Sequence, residues 1–75
     1  MKHTAKSIGE LVRRTRKNMG VTQRDLALTS GTGMRFISDL EQGKPTCQIE
    51  KTLLVLNTLG IRIELLPPAA KAVKP

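Results

Sequence analysis

The residue types that most often carry chemistry are few in this chain and poorly spaced for catalysis. There is one histidine, His3, and one cysteine, Cys47, so no internal disulfide can form and no ligand set for a structural zinc exists. Asp39 and Glu41 stand two positions apart. On a helix that spacing turns them away from each other and leaves no carboxylate dyad for acid–base work. Gly43-Lys44-Pro45-Thr46 invites a nucleotide-binding reading, but a phosphate loop needs glycine at position 38, where Ser38 stands, and a preceding strand. The residues therefore predict no enzyme, no metal and no cofactor. What remains is the chemistry of cations. Thirteen Lys and Arg against six Asp and Glu give a net charge of +7, an excess that attracts polyanions, either nucleic acid or an anionic membrane surface.

Those cations need a scaffold, and 75 residues leave room for one domain. A chain this short buries only roughly 60% of its unfolded surface. Its 39% apolar and 25% charged content fits a folded domain. Phe36 is the only aromatic residue, so Leu, Ile, Val, Met and Ala must build the core. Without disulfide or metal, so small a core calls for a partner chain, and oligomerisation is the expected support. The longest purely apolar stretch, Leu53 to Leu56, is far short of the roughly 20 residues of a membrane span; a cytoplasmic protein is expected.

Residues 1–6 precede any apolar pattern and read as an arm carrying Lys2, His3 and Lys6. From Ser7, the positions Ile8, Leu11, Val12, Thr15 and Met19 follow helical spacing up to Gly20, with Arg13, Arg14 and Lys17 on other faces. Thr22 and Asp25 form a capping box with Asp in place of Glu or Gln, which predicts a short second helix. Gly31 breaks it, and Thr32 is positioned to cap a third helix in which Met34, Ile37, Leu40 and Glu41 share one side. After Gly43 and Lys44-Pro45, a fourth helix is expected from Thr46 or Cys47 to Gly60, burying Ile49, Leu53, Leu56 and Leu59, with Leu54 and Val55 widening the face. Ile61-Arg62-Ile63-Glu64-Leu65 alternates with period two, the pattern of a half-buried strand, and Pro67-Pro68 ends it. With no second strand in the sequence, this one must pair outside its own chain. Residues 67–75 read as a tail.

Two helices joined by a tight glycine turn are the arrangement that lays a helix into the DNA major groove. Ala27 supplies a small residue at the crossing, Gly31 the turn, and Ile37 and Leu40 the apolar anchors. With these and the runs Gly20-Val21-Thr22-Gln23 and Ile37-Ser38-Asp39-Leu40-Glu41-Gln42-Gly43-Lys44, residues 7–60 resemble the Cro-type (Xre-type) helix-turn-helix family. Thr32 departs from that family's usual valine. The resemblance implies a mainly α fold, a lambda-repressor-like helix-turn-helix bundle of four helices, and a double-stranded DNA operator as partner. It places Gln23 on a phosphate. It sets Gly33, Met34, Arg35 and Ser38 facing base edges, and Gln42, Gly43 and Lys44 on the backbone of the opposite strand. It also puts Arg16 beside Glu41 as a partly buried pair, where the plain alternative is two solvated charges.

The ending, strand 61–66 after the fourth helix, looks like the HipB-type antitoxins, whose dimers pair one such strand from each subunit. That likeness implies a homodimer joined through Ile61, Arg62, Ile63, Glu64 and Leu65. It also implies a repressor of its own operon and a HipA-type kinase toxin as a further partner. A free-standing phage or plasmid repressor is the main rival. A basic amphipathic peptide at a membrane surface is the alternative of another class, but it predicts aromatic anchors and gives no reason for the turn signature.

Overall fold

A computed structural model describes residues 3–68. Its helices are α1 (Ala5–Asn18), α2 (Gln23–Ser30), α3 (Met34–Glu41) and α4 (Ile49–Thr58). The number and order match the sequence reading, and the ends explain most of the differences. α1 begins two residues before the expected Ser7 because Thr4 and Ser7 make a reciprocal capping box. The Ser7 N–H donates to Thr4 Oγ1 at 3.0 Å and the Thr4 N–H to Ser7 Oγ at 2.9 Å. The helix therefore takes in the end of the expected arm, whose first two residues lie outside the described ones. α2 opens on the box read from sequence, with Asp25 N–H donating to Thr22 Oγ1 at 3.0 Å and Thr22 N–H to Asp25 Oδ2 at 3.4 Å.

Gly31, at φ +76°, closes α2 in the left-handed conformation that favours glycine, and the Thr32 N–H reaches back to the Ala27 carbonyl at 3.0 Å. Thr32 does not cap α3 as expected. Its hydroxyl pairs with Ser30 Oγ at 2.9 Å, and Gly33 takes the N-cap position without a side-chain bond. α4 likewise starts later than expected, at Ile49 with Gln48 as N-cap.

α3 packs on α1 and α2, and α4 packs on α2. Between them lie Val12, Leu26, Ala27, Ile37, Leu40, Val55, Leu56 and Leu59, all buried, with Ile8, Val21, Phe36, Cys47 and Ile61 packed around them. Lys51 of α4 sits 5.9 Å from the Phe36 ring centroid, a cation–π contact between α4 and α3. The α1–α3 crossing is close because Gly9 lacks a side chain: a Cβ there would collide with the Leu40 carbonyl oxygen and approach that of Glu41 to 3.0 Å.

The buried face of α4 is rotated from the expected one. Thr52, Val55, Leu56 and Leu59 are inside, whereas Ile49, Leu53 and Leu54 are exposed, Ile49 to 71%. Thr52 is buried at little polar cost because its hydroxyl donates to the Gln48 carbonyl at 2.8 Å. Met34 and Met19 are also exposed rather than tucked inward.

The expected strand is absent from the described residues; 61–68 have no regular secondary structure. The physical reason is the one the sequence raises, since a strand is defined by its ladder and a single chain offers no second strand. Of the tail expected over 67–75, residues 69–75 lie outside the described ones. No helix of the described residues is long and apolar enough to cross a membrane.

Candidate nucleic-acid interface

Arg16 and Glu41 fix the relation of α1 to the end of α3. Arg16 Nε donates to Glu41 Oε2 at 2.6 Å and a second guanidinium nitrogen to Oε1 at 3.0 Å, a bidentate fork, while the remaining nitrogen donates to the Val21 carbonyl at 2.9 Å. With the two side chains only 10% and 4% exposed, this is a buried pair and not two solvated charges. Burial pushes the Glu41 carboxyl up, but the hydrogen bonds from Arg16 and Gln23 and the charges of Arg16 and Arg13 outweigh it and hold the group below its ordinary value. The same bond to Glu41 raises Arg16, against the smaller opposing effect of burial.

Gln23, at the start of α2, donates through Nε2 to Glu41 Oε1 at 3.2 Å. An amide carries two N–H bonds, so one is held by the pair and the other is available to a phosphate. Around this centre Arg13 and Lys17 of α1, Gln23, and Ser38 and Gln42 of α3 border a cleft of about 380 Å³. Sequence reasoning set Arg13 and Lys17 on indifferent faces of α1. Their i, i+4 spacing, beside a buried Arg16, is the signal that could have placed them together.

The outward front of α3 carries the residues the sequence singles out. Arg35 is the most open, its side chain 89% exposed; Met34 is exposed and Ser38 half-buried. Gln42 donates through Nε2 to Ser38 Oγ at 3.3 Å, one turn earlier. Gly33, at the head of the helix, has nothing near the position a Cβ would take. Lys44 reaches back to Asp39 Oδ2 at 3.5 Å.

Three backbone donors in this region are already engaged. Gln42, Gly43 and Lys44 donate their N–H groups to Ser38, Leu40 and Asp39 carbonyls at 3.0–3.1 Å. Gly43 therefore has neither a side chain nor a free N–H for a phosphate. Its φ of +82° and its contact with Lys6, whose Cα would lie 2.8 Å from a Cβ, give it a packing role between the end of α3 and the start of α1. The side chains of Gln42 and Lys44 are exposed at this end.

Cys47 packs partly buried against the core, where desolvation and the nearby Asp39 push its thiol up despite Lys44. That is the environment of an apolar filler rather than a nucleophile. His3 is exposed.

Beyond α4, Ile61 is half-buried on the core while Ile63, Leu65 and Leu66 are exposed. Leu53, Leu54, Leu56, Gly60, Ile61 and Ile63 border an open groove of about 950 Å³. Arg62 and Glu64 meet within the chain at 3.9 Å.

Residues 12–66 match the model of the helix-turn-helix family. The chain is also 52% identical over 68 residues to the uncharacterized HTH-type transcriptional regulator y4mF of Sinorhizobium fredii (strain NBRC 101917 / NGR234), a match spanning 91% of this chain and 90% of that protein.

Proposed function

The chain belongs to the helix-turn-helix family of DNA-binding transcriptional regulators, and from that premise we propose that it is a sequence-specific repressor that binds its operator as a homodimer. The observation that carries this reading is the contrast across α3. One side is locked by the Arg16–Glu41 fork and by Ile37 and Leu40, while the other holds Arg35 and Met34 out to solvent beside a half-buried Ser38. A rigid helix with a free polar front suits base edges in the major groove. In this reading Arg35 offers its planar fork to guanine O6 and N7, Met34 meets a thymine methyl, and Gly33 lets the helix head approach the bases. Gln23, Gln42 and Lys44 hold the phosphates, with Arg13 and Lys17 adding positive charge beside Gln23.

The dimer joins exposed apolar surface that one chain leaves uncovered: Leu53 and Leu54 of α4 and Ile63 and Leu65 after it. Two copies of 61–66, antiparallel about Ile63, set Arg62 opposite Glu64 and Ile61 opposite Leu65, a self-complementary register. The likeness of this ending to HipB-type antitoxins extends the proposal to an antitoxin that represses its own operon and binds a HipA-type kinase toxin. Binding-site selection with the purified protein tests the core of the reading. The expected result is a palindromic consensus whose half-sites lie about one helical turn, or a multiple of it, apart; recovery of unselected sequence overturns it. A kinase reading frame beside the gene supports the antitoxin role, and its absence favours a free-standing repressor.

A further inference from the structure

The front of α3 contains a feature that works against binding a polyanion. Asp39 stands among the exposed readers and clamps, and one of its oxygens, Oδ2, lies 4.0 Å from Arg35 Nε and 3.5 Å from Lys44 Nζ. Its side chain is 27% exposed. An exposed ion pair of this kind adds little to fold stability, and a carboxylate facing phosphates weakens DNA binding in general. The contacts it does make are to one cation proposed to read bases and one proposed to hold the backbone.

We propose that Asp39 is a positioning residue that sets the sequence discrimination of the interface, a role that rests on the reading of α3 as the base-facing helix. A free arginine on its flexible stem pairs with any phosphate within reach. Arg35 and Asp39 are four residues apart, neighbours one turn along the helix, so the carboxylate draws the guanidinium back onto the axis of α3 and away from the flanking phosphates. The fork then points to the groove floor. Asp39 thereby lowers affinity for every duplex and lowers it most for the wrong ones. It also holds Lys44 until a phosphate replaces it.

Asp39→Asn tests this, because the amide keeps the size and an acceptor oxygen while losing the charge. The full-length chain is titrated against a selected operator and a scrambled duplex of equal length at two salt concentrations, beside wild type, Arg35→Ala and the double variant. The variant is expected to bind the scrambled duplex about tenfold tighter while operator affinity changes much less, so that discrimination falls by a similar factor. The salt dependence should steepen by about one released ion on the scrambled duplex, where Arg35 is freed to take a phosphate. The melting temperature should stay unchanged, and Asp39→Asn should cost no further discrimination in the Arg35→Ala background. If both duplexes tighten equally, or if stability falls while discrimination holds, Asp39 is not a specificity residue. Discrimination lost in Arg35→Ala but kept in Asp39→Asn overturns this role alone. Discrimination absent from wild type, or untouched by Arg35→Ala, overturns base reading by α3 and this role with it.

Discussion

Removing the Glu41 carboxylate would leave Arg16 charged, buried and bonded only to the Val21 carbonyl. A buried pair gains little over an apolar replacement, yet stranding one partner costs about 3–5 kcal/mol. Glu41→Ala should therefore lower the melting temperature steeply, while Glu50→Ala, on the exposed start of α4, should barely move it. Equal small losses would mean that the fork holds nothing. The pair also sets a pH dependence. Since Glu41 in the fold lies below its ordinary value of 4.5, the unfolded chain binds the proton more readily. The contribution is thus complete above that ordinary value and disappears as pH falls through the lowered one. The urea midpoint of wild type should drop between neutral pH and about pH 3, and that of Glu41→Gln should drop less. At this scale the fork was legible only through family likeness, because sequence spacing alone cannot bring residues 25 apart into contact. Asp39 was considered only against Glu41, where the spacing leaves no dyad; its contact at the i−4 position, Arg35, was not sought.

Helix ends and helix faces differ in how far local sequence determines them. The Thr22–Asp25 box, the Gly31 stop and the apolar anchors Ile37 and Leu40 follow from short-range rules, and all four stand as read. The face of α4 does not, because Leu53, Leu54, Val55 and Leu56 form an unbroken apolar run in which periodicity cannot choose the inner side. Packing against α2 chose it, and Thr52 could be buried because its hydroxyl finds a carbonyl within its own helix. Gly9 carries the clearest prediction at this scale. In an isolated helix Gly→Ala stabilises by about 1 kcal/mol. Here the added methyl meets the Leu40 and Glu41 carbonyls, so Gly9→Ala should destabilise, by about 1–3 kcal/mol as for overpacking elsewhere. A denaturation midpoint above that of wild type would show that α1 and α3 do not pack this closely.

For the whole molecule, the proposed dimer surface beside α4 and the proposed base-facing side of α3 are linked through symmetry, since two reading helices reach successive turns of DNA only if a dimer spaces them. The alternation in Ile61 to Leu65 was legible in the sequence, but a ladder needs a second chain, and these residues have no regular structure in the single chain. Ile63→Pro removes a ladder donor and should shift sedimentation at micromolar concentration from dimer to monomer; a variant that stays dimeric would move the seal elsewhere on the groove. The most direct test of the central claim is a shift assay of Arg35→Ala and Lys44→Ala on selected and scrambled duplexes at two salt concentrations. Arg35→Ala should lose about 1–3 kcal/mol on the selected operator and relax choice at one position per half-site. Lys44→Ala should weaken both duplexes nearly equally and reduce the salt slope by about one. Equal weakening of both duplexes by Arg35→Ala, with altered preference in Lys44→Ala, would contradict the account.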